Sequence, residues 1–160
     1  MPSITHGSFT INRRYAVPAR LVFAAWSDPE QIKQWAAPAK GWTFEFRSFD
    51  FRVGGGEVSE FGPSGEEPYR VTSRYDDIIP GERIVSAYGV AQGATRISSS
   101  VMCIELAEAR GSTTLRLTEH GAFFDGLETA DIRKGGVLQQ LAQLQAFLAL
   151  KHAGNGGRSK

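Results

Sequence analysis

Apolar residues recur along this chain with two different periods, and the change of period divides it into elements. Between residues 8 and 16, Phe9 and Ile11 alternate with Thr10 and Asn12, and Tyr15 continues the apolar face beyond Arg13. Alternation of this kind predicts a half-buried strand over 8–16. Pro18 ends it. Val22, Phe23 and Trp26 then recur at helical spacing. Ser27 or Asp28 caps a second short helix, with Pro29 at its first position and Glu30 in its first turn. Ile32 and Trp35 carry the apolar face onward. The two helices read as a clasp that buries Trp26 and Trp35. Residues 36–41, which include Pro38, read as a loop.

Period-two alternation then resumes. Phe44 and Phe46 alternate with Glu45 and Arg47, and Phe49, Phe51 and Val53 with Asp50 and Arg52. The two sets are one residue out of phase around Ser48. A bulge there would return every aromatic to one face. Gly54-Gly55-Gly56 turns the chain into the segment 57–61, and Gly62-Pro63-Ser64-Gly65 turns it again. Tyr69, Val71, Ser73 and Tyr75 share one face of the next strand. Pro80-Gly81 leads into a strand over 83–88, followed by a small flexible loop over 89–94. Residues 97–106 and 113–120 complete a meander of strands joined by short turns, which implies antiparallel pairing.

After Gly121 the period changes. Leu138, Leu141, Leu144 and Leu148 step by three and four residues, with Phe147 and Leu150 widening the stripe. The helix reads from Val137 to Lys151. It can begin as early as Thr129, but Gly135-Gly136 points to a kink or a late start. Residues 1–153 read as one domain and 154–160 as a disordered tail. The expected fold is α+β, a curved antiparallel sheet wrapped around the long C-terminal helix, with two short helices after the first strand. That helix is the one element large enough to cover a concave sheet. Where the two do not interdigitate, a cavity remains.

This order, and several local motifs, resemble the START-like, helix-grip superfamily. Within it the chain resembles the family related to the C-terminal domain of the heat-shock-protein-90 ATPase activator. The carriers are the segment 17–30 (VPARLVFAAWSDPE), Gln34-Trp35, the segment 50–55 (DFRVGG), the segment 114–121 (TLRLTEHG) and the glycine-led leucine helix from Gly136. The resemblance covers nearly all of residues 8–150. The resemblance implies an internal cavity that holds a ligand. Two positions depart from it. Many relatives have a tryptophan after the glycine that opens the last helix, where this chain has Gly136-Val137. Many have a second aromatic after the second helix, where it has Trp35-Ala36. Both changes replace bulk with small groups near the expected cavity mouth. The N-terminal domain of the true chaperone activator is missing, so co-chaperone activity is not expected.

Composition narrows the function classes. The 160 residues carry 18 Lys and Arg against 17 Asp and Glu, a net charge of +1. So even a balance predicts no nucleic-acid or membrane-surface partner. No apolar run spans a bilayer and no signal peptide precedes the first strand, so a reducing cytoplasm is expected. Cys103 is the one cysteine, which rules out an internal disulfide, and it reads as a small buried hydrophobe. His6 lies in the leader and His152 in the tail, so no histidine cluster and no metal site are expected. No cofactor motif is present, and a homodimer is compatible with the sequence.

Strand parity supplies the candidate chemistry. Leu115 and Leu117 point inward, so Glu119 points inward and His120 outward unless a bulge reverses them. These two are the general acid/base candidates. Arg74 or a tyrosine is a further one. The residues expected to line the cavity are Trp35, Trp42, Phe51, Tyr69, Tyr75, Tyr88, Val137 and Leu141. Trp35 and Trp42 bracket the loop at 36–41 and are placed at the entrance. Asp50, Arg52 and Glu57 flank the glycine turn, and Asp50 and Arg52 read as a local ion-pair network around it. Three functions follow: a protein that binds a small hydrophobic or aromatic molecule, a cyclase or hydrolase acting on one, and a protein-interaction module of the chaperone-activator kind. The last needs an exposed patch that the even sequence does not show.

Overall fold

The computed structural model describes residues 1–37 and 39–153. Pro38 and the expected tail at 154–160 lie outside the described residues. Strand β1 spans Ile4–Tyr15 and is followed by α1 (Ala19–Ser27) and α2 (Pro29–Trp35). Strands β2 (Trp42–Phe49), β3 (Glu57–Pro63), β4 (Tyr69–Ile79), β5 (Arg83–Gln92), β6 (Thr95–Ala109) and β7 (Ser112–Phe124) lead to α3 (Ala130–Ala153). All seven strands form one curved antiparallel sheet in the order β1-β7-β6-β5-β4-β3-β2. It is the α+β helix-grip architecture.

The clasp forms as its sequence dictates. Asp28 caps α2, its side chain accepting from the Glu30 amide at 3.0 Å, with Pro29 at the first helical position. The Trp35 ring is buried, and its indole donates to the Ala25 carbonyl at 3.0 Å. Trp26 meets it edge to face at 4.7 Å but stays half-buried. Along α3, Val137, Leu141, Leu144 and Leu148 are buried against the sheet. The Tyr15 hydroxyl donates to the Leu141 carbonyl, and Gln140 donates to the Ala36 carbonyl at 2.7 Å. These bonds fix the helix to β1 on one side and to the end of α2 on the other.

Several boundaries differ from the sequence reading. β1 begins at Ile4, so His6 lies in a strand, paired with Ala122 of β7. His152 likewise lies in α3. β5 runs through Gly89 to Gln92, because ladder bonds to β4 and β6 hold the segment expected as a flexible loop. β7 continues through Gly121 to Phe124. Gly121 suits that position because an added Cβ would meet the Phe123 ring at 2.8 Å. α3 takes the early start and runs through both glycines. Leu150 is exposed, since the buried stripe passes through Leu148 instead.

The β2 bulge falls between Phe46 and Ser48, where the phase change predicted it. Phe44, Phe46, Phe49 and Phe51 all pack against the core, but Val53 is exposed. The strand ends at Phe49, and the next residues are bound into the glycine turn. The Gly54 amide donates to the Tyr75 carbonyl, and the Tyr75 amide to the Gly55 carbonyl, each at 2.9 Å. At Gly56 a Cβ would stand 1.9 Å from the Ser73 carbonyl oxygen, so only glycine permits this approach. The turn therefore lies flat against β4 and fixes where β3 begins.

Candidate functional site

Between the concave face of the sheet and α3 lies a cavity of about 690 Å³. Of the expected lining residues, Trp35, Trp42, Tyr69, Tyr75, Tyr88, Val137 and Leu141 are on its wall. Phe51 is not. Its ring packs edge to face on Phe23 at 5.8 Å and on Tyr75 at 4.9 Å, in the layer behind. At the outer rim Trp42, Phe61 and Tyr69 are stacked, with Trp42 6.2 Å from each of the others. Leu127 and Ile132 also line the cavity and are 50% and 63% exposed.

One end of the cavity is polar. Arg133 projects from the first turn of α3 and is paired with Glu128 through two bonds, Nε to Oε1 at 3.0 Å and Nη2 to Oε2 at 2.6 Å. Nη2 also donates to the Ser98 hydroxyl at 2.7 Å. Nη1 donates to the Tyr88 hydroxyl at 2.7 Å and to Glu119 Oε2 at 3.4 Å. Tyr88 in turn donates to Glu119 Oε1 at 2.5 Å. The guanidinium has five N–H donors, and these five contacts occupy them. Its plane also lies over the rings of Tyr88 and Phe123.

Glu119 points inward and is 1% exposed, whereas His120 is exposed on the outer face. Glu119 does not reach the cavity wall; Tyr88 and Arg133 stand in front of it. Burial raises its pKa, and the hydrogen bonds from Tyr88 and Arg133 oppose that rise. Burial also raises the Tyr88 pKa, aided by the Glu119 charge. For Arg133 burial works against the charge, but Glu128, Tyr88 and Glu119 outweigh it and raise the pKa.

A second carboxyl, Glu57, follows the glycine turn in sequence and differs from the charged residues before it. Asp50 and Arg52 do pair, at 2.8 Å, on the exposed glycine turn. Glu57 takes no part in that pair. It is half-buried and lines the cavity, in line along β3 with Ser59 and Phe61. Its amide donates to the Ser73 hydroxyl at 3.2 Å. Among the described residues no hydrogen bond or ion pair engages its carboxyl, and burial pushes its pKa up to about 7. Arg74 is on the outer face, tied to Asp76 at 2.6 Å. Cys103 is half-buried on the outer face, opposite Thr118 and Val85, and not in the core.

Sequence parity turned Glu119 inward but missed Arg133, Glu128 and Glu57 as residues of the cavity wall. A signal for Arg133 existed. Stepping the buried stripe back by four from Val137 gives residue 133, so a helix begun at Ala130 turns this arginine inward. Among the described residues no group of three or more His, Cys, Asp or Glu side chains gathers as metal ligands, and no helix is long and apolar enough to cross a membrane.

The family profile described as "Activator of Hsp90 ATPase homolog 1-like protein" matches residues 16–149. The Mll3558 protein from Rhizobium loti is 41% identical, with 91% of this chain and 99% of that one covered and a TM-score of 0.82. A protein from Rhizobium leguminosarum is 32% identical, covering 92% and 97% of the two chains, with a TM-score of 0.83. Protein CV1439 from Chromobacterium violaceum is 25% identical, covering 88% and 96%, with a TM-score of 0.76. No curated protein matches the chain. The chain belongs to the Activator of Hsp90 ATPase homolog 1-like family.

Proposed function

We propose that this member of the family binds a small hydrophobic or aromatic molecule between its sheet and α3. The observation that carries this reading is the cavity itself, about 690 Å³ and walled by Trp35, Trp42, Phe44, Phe61 and Tyr69. That volume lies in the range of about 300–1,000 Å³ that suits small-molecule sites, which are largely apolar with a few polar groups. The apolar wall supplies affinity by removing ligand surface from water. Glu57, the wall carboxyl that no hydrogen bond or ion pair engages among the described residues, orients the ligand.

The two departures from the family's usual pattern support a roomy site. Ala36, Gly136 and Val137 all line the cavity. An added Cβ at Gly136 would meet nothing within 4 Å, so bulk at this position would project into open space. Calorimetric titration with 2-(1-naphthyl)ethanol, a neutral aromatic probe, tests the proposal. Saturable binding at one site per chain is expected, and the absence of saturable heat overturns it.

One observation favours a second reading, an enzyme of the cyclase or hydrolase kind. Glu57 faces the cavity with its carboxyl unpaired and with a pKa near neutrality, which suits a general acid or base. Glu119 serves this reading less well, since Tyr88 and Arg133 occupy its oxygens. Turnover of a bound probe by the wild type, lost in Glu57→Gln, would establish the second reading over the first.

A further inference from the structure

The charges around the cavity are unevenly committed, and this bears on what the cavity selects. Arg133 is its one basic wall residue among the described residues. All five of its N–H donors are spent on Glu128, Ser98, Tyr88 and Glu119. A ligand carboxylate reaching Arg133 would have to displace one of these partners and would stand close to two glutamates. Anions are therefore poorly served. Glu57 is the reverse case, a wall carboxyl with no cation beside it.

The sheet register fixes how the two poles are spaced. The Glu57 amide is bonded to the Ser73 side chain, and Ser73 stands opposite Tyr88 on the next strand. Glu57 and Tyr88 thus lie two strands apart on the concave face, about 10 Å at the usual strand spacing. Between them Ser73 leaves room for a ligand. Beside Glu57 the wall is aromatic at Tyr75, which feels the Glu57 charge, while Phe61 and Tyr69 face the same cavity further along the strands. Aromatic faces attract cations as well as apolar groups.

We propose that the cavity selects apolar molecules carrying a basic nitrogen, and that Glu57 receives the ammonium group. This deepens the binding reading above and rests on it. The apolar body fills the space under α3, and the ammonium donates to the Glu57 carboxylate in a site shielded from water. A charge-assisted bond of this kind is stronger than one between neutral groups. The groups facing Glu57 are the Ser73 hydroxyl and Tyr75 from β4, with Arg133 and Glu128 across the cavity. Tyr75 stays protonated throughout, since burial and the Glu57 charge raise its pKa.

The test compares three probes of one shape by calorimetry at pH 8: 2-(1-naphthyl)ethylamine, 2-(1-naphthyl)ethanol and 1-naphthaleneacetic acid. The amine is expected to bind about tenfold tighter than the alcohol or better, and the acid weakest. Glu57→Gln should abolish the amine's advantage over the alcohol. An amine no tighter than the alcohol, an acid tighter than both, or an advantage that survives Glu57→Gln overturns the proposal while leaving the binding reading intact. Failure of all three probes to bind overturns both. Should Glu57→Gln not fold, the wild type is titrated from pH 8 to pH 5. The amine's advantage must shrink as Glu57 takes up its proton, and a constant advantage overturns the proposal.

Discussion

Arg133 and Glu128 meet through two parallel hydrogen bonds, Nε to Oε1 at 3.0 Å and Nη2 to Oε2 at 2.6 Å. The pair ties the first turn of α3 to the loop before it. The same guanidinium also supplies the cation that faces the buried Glu119. Removing it leaves a buried carboxyl with its positive partner gone.

Arg133→Leu is accordingly expected to destabilise the protein by about 3–5 kcal/mol, the usual cost of breaking a buried pair on one side. Arg133→Lys should recover only part of this, because an ammonium does not reproduce the planar fork on Glu128. Urea unfolding checks both. A loss below about 1 kcal/mol for Arg133→Leu would mean that Glu119 is held neutral without the arginine.

Glu57 predicts a pH dependence of opposite sign to an ordinary paired carboxylate. Its folded pKa is about 7, above the usual 4.5. As pH rises between these values the unfolded chain releases the proton while the folded one keeps it, so stability falls across that window and levels off above it. Linkage over this interval amounts to on the order of 3 kcal/mol. Glu57→Gln should match the wild type near pH 4 and exceed it at pH 8. Denaturation midpoints at the two pH values decide this, and equal differences at both would place Glu57 in solvent.

Leu141 is fully buried, and its carbonyl accepts from Tyr15. Leu141→Ala should cost about 2–5 kcal/mol, because the removed methyl groups leave space that the sheet and helix do not close. A denaturation curve superimposable on the wild type would show that α3 does not cover the core.

Gly136 offers a way to fill the cavity without disturbing the wall. Its added Cβ meets no atom within 4 Å, and replacing a helical glycine favours the helix by about 0.5–1 kcal/mol. Gly136→Phe is expected to retain or raise the melting temperature while weakening 2-(1-naphthyl)ethanol binding at least tenfold. Unchanged affinity would put the probe elsewhere.

Much of this fold was legible in the sequence, for identifiable reasons. The phase slip between Phe46 and Phe49 located a bulge because aromatic residues must share the buried face. Asp28-Pro29 marked the start of α2 through cap chemistry. Leu115 and Leu117 fixed the direction of Glu119 by parity. What escaped notice depended on tertiary override of local signals. The glycines at 135 and 136 argued for a late helix, yet α3 runs through them, which kept Arg133 out of view. Glu57 sat beside an exposed Asp50–Arg52 pair in sequence, but the turn folded back on β4 sends it to the other face. Gly89 looked like a loop residue until strands on both sides bonded to it.

The central claim is that the space under α3 is a binding site. An amide and indole NMR titration with 2-(1-naphthyl)ethanol tests it most directly. Shifts should gather at cavity residues such as the Trp35 indole, Tyr88, Gly136 and Val137, and saturate together. An unchanged spectrum, or shifts confined to the exposed Val53 and Val101 on the outer surface, would contradict the account.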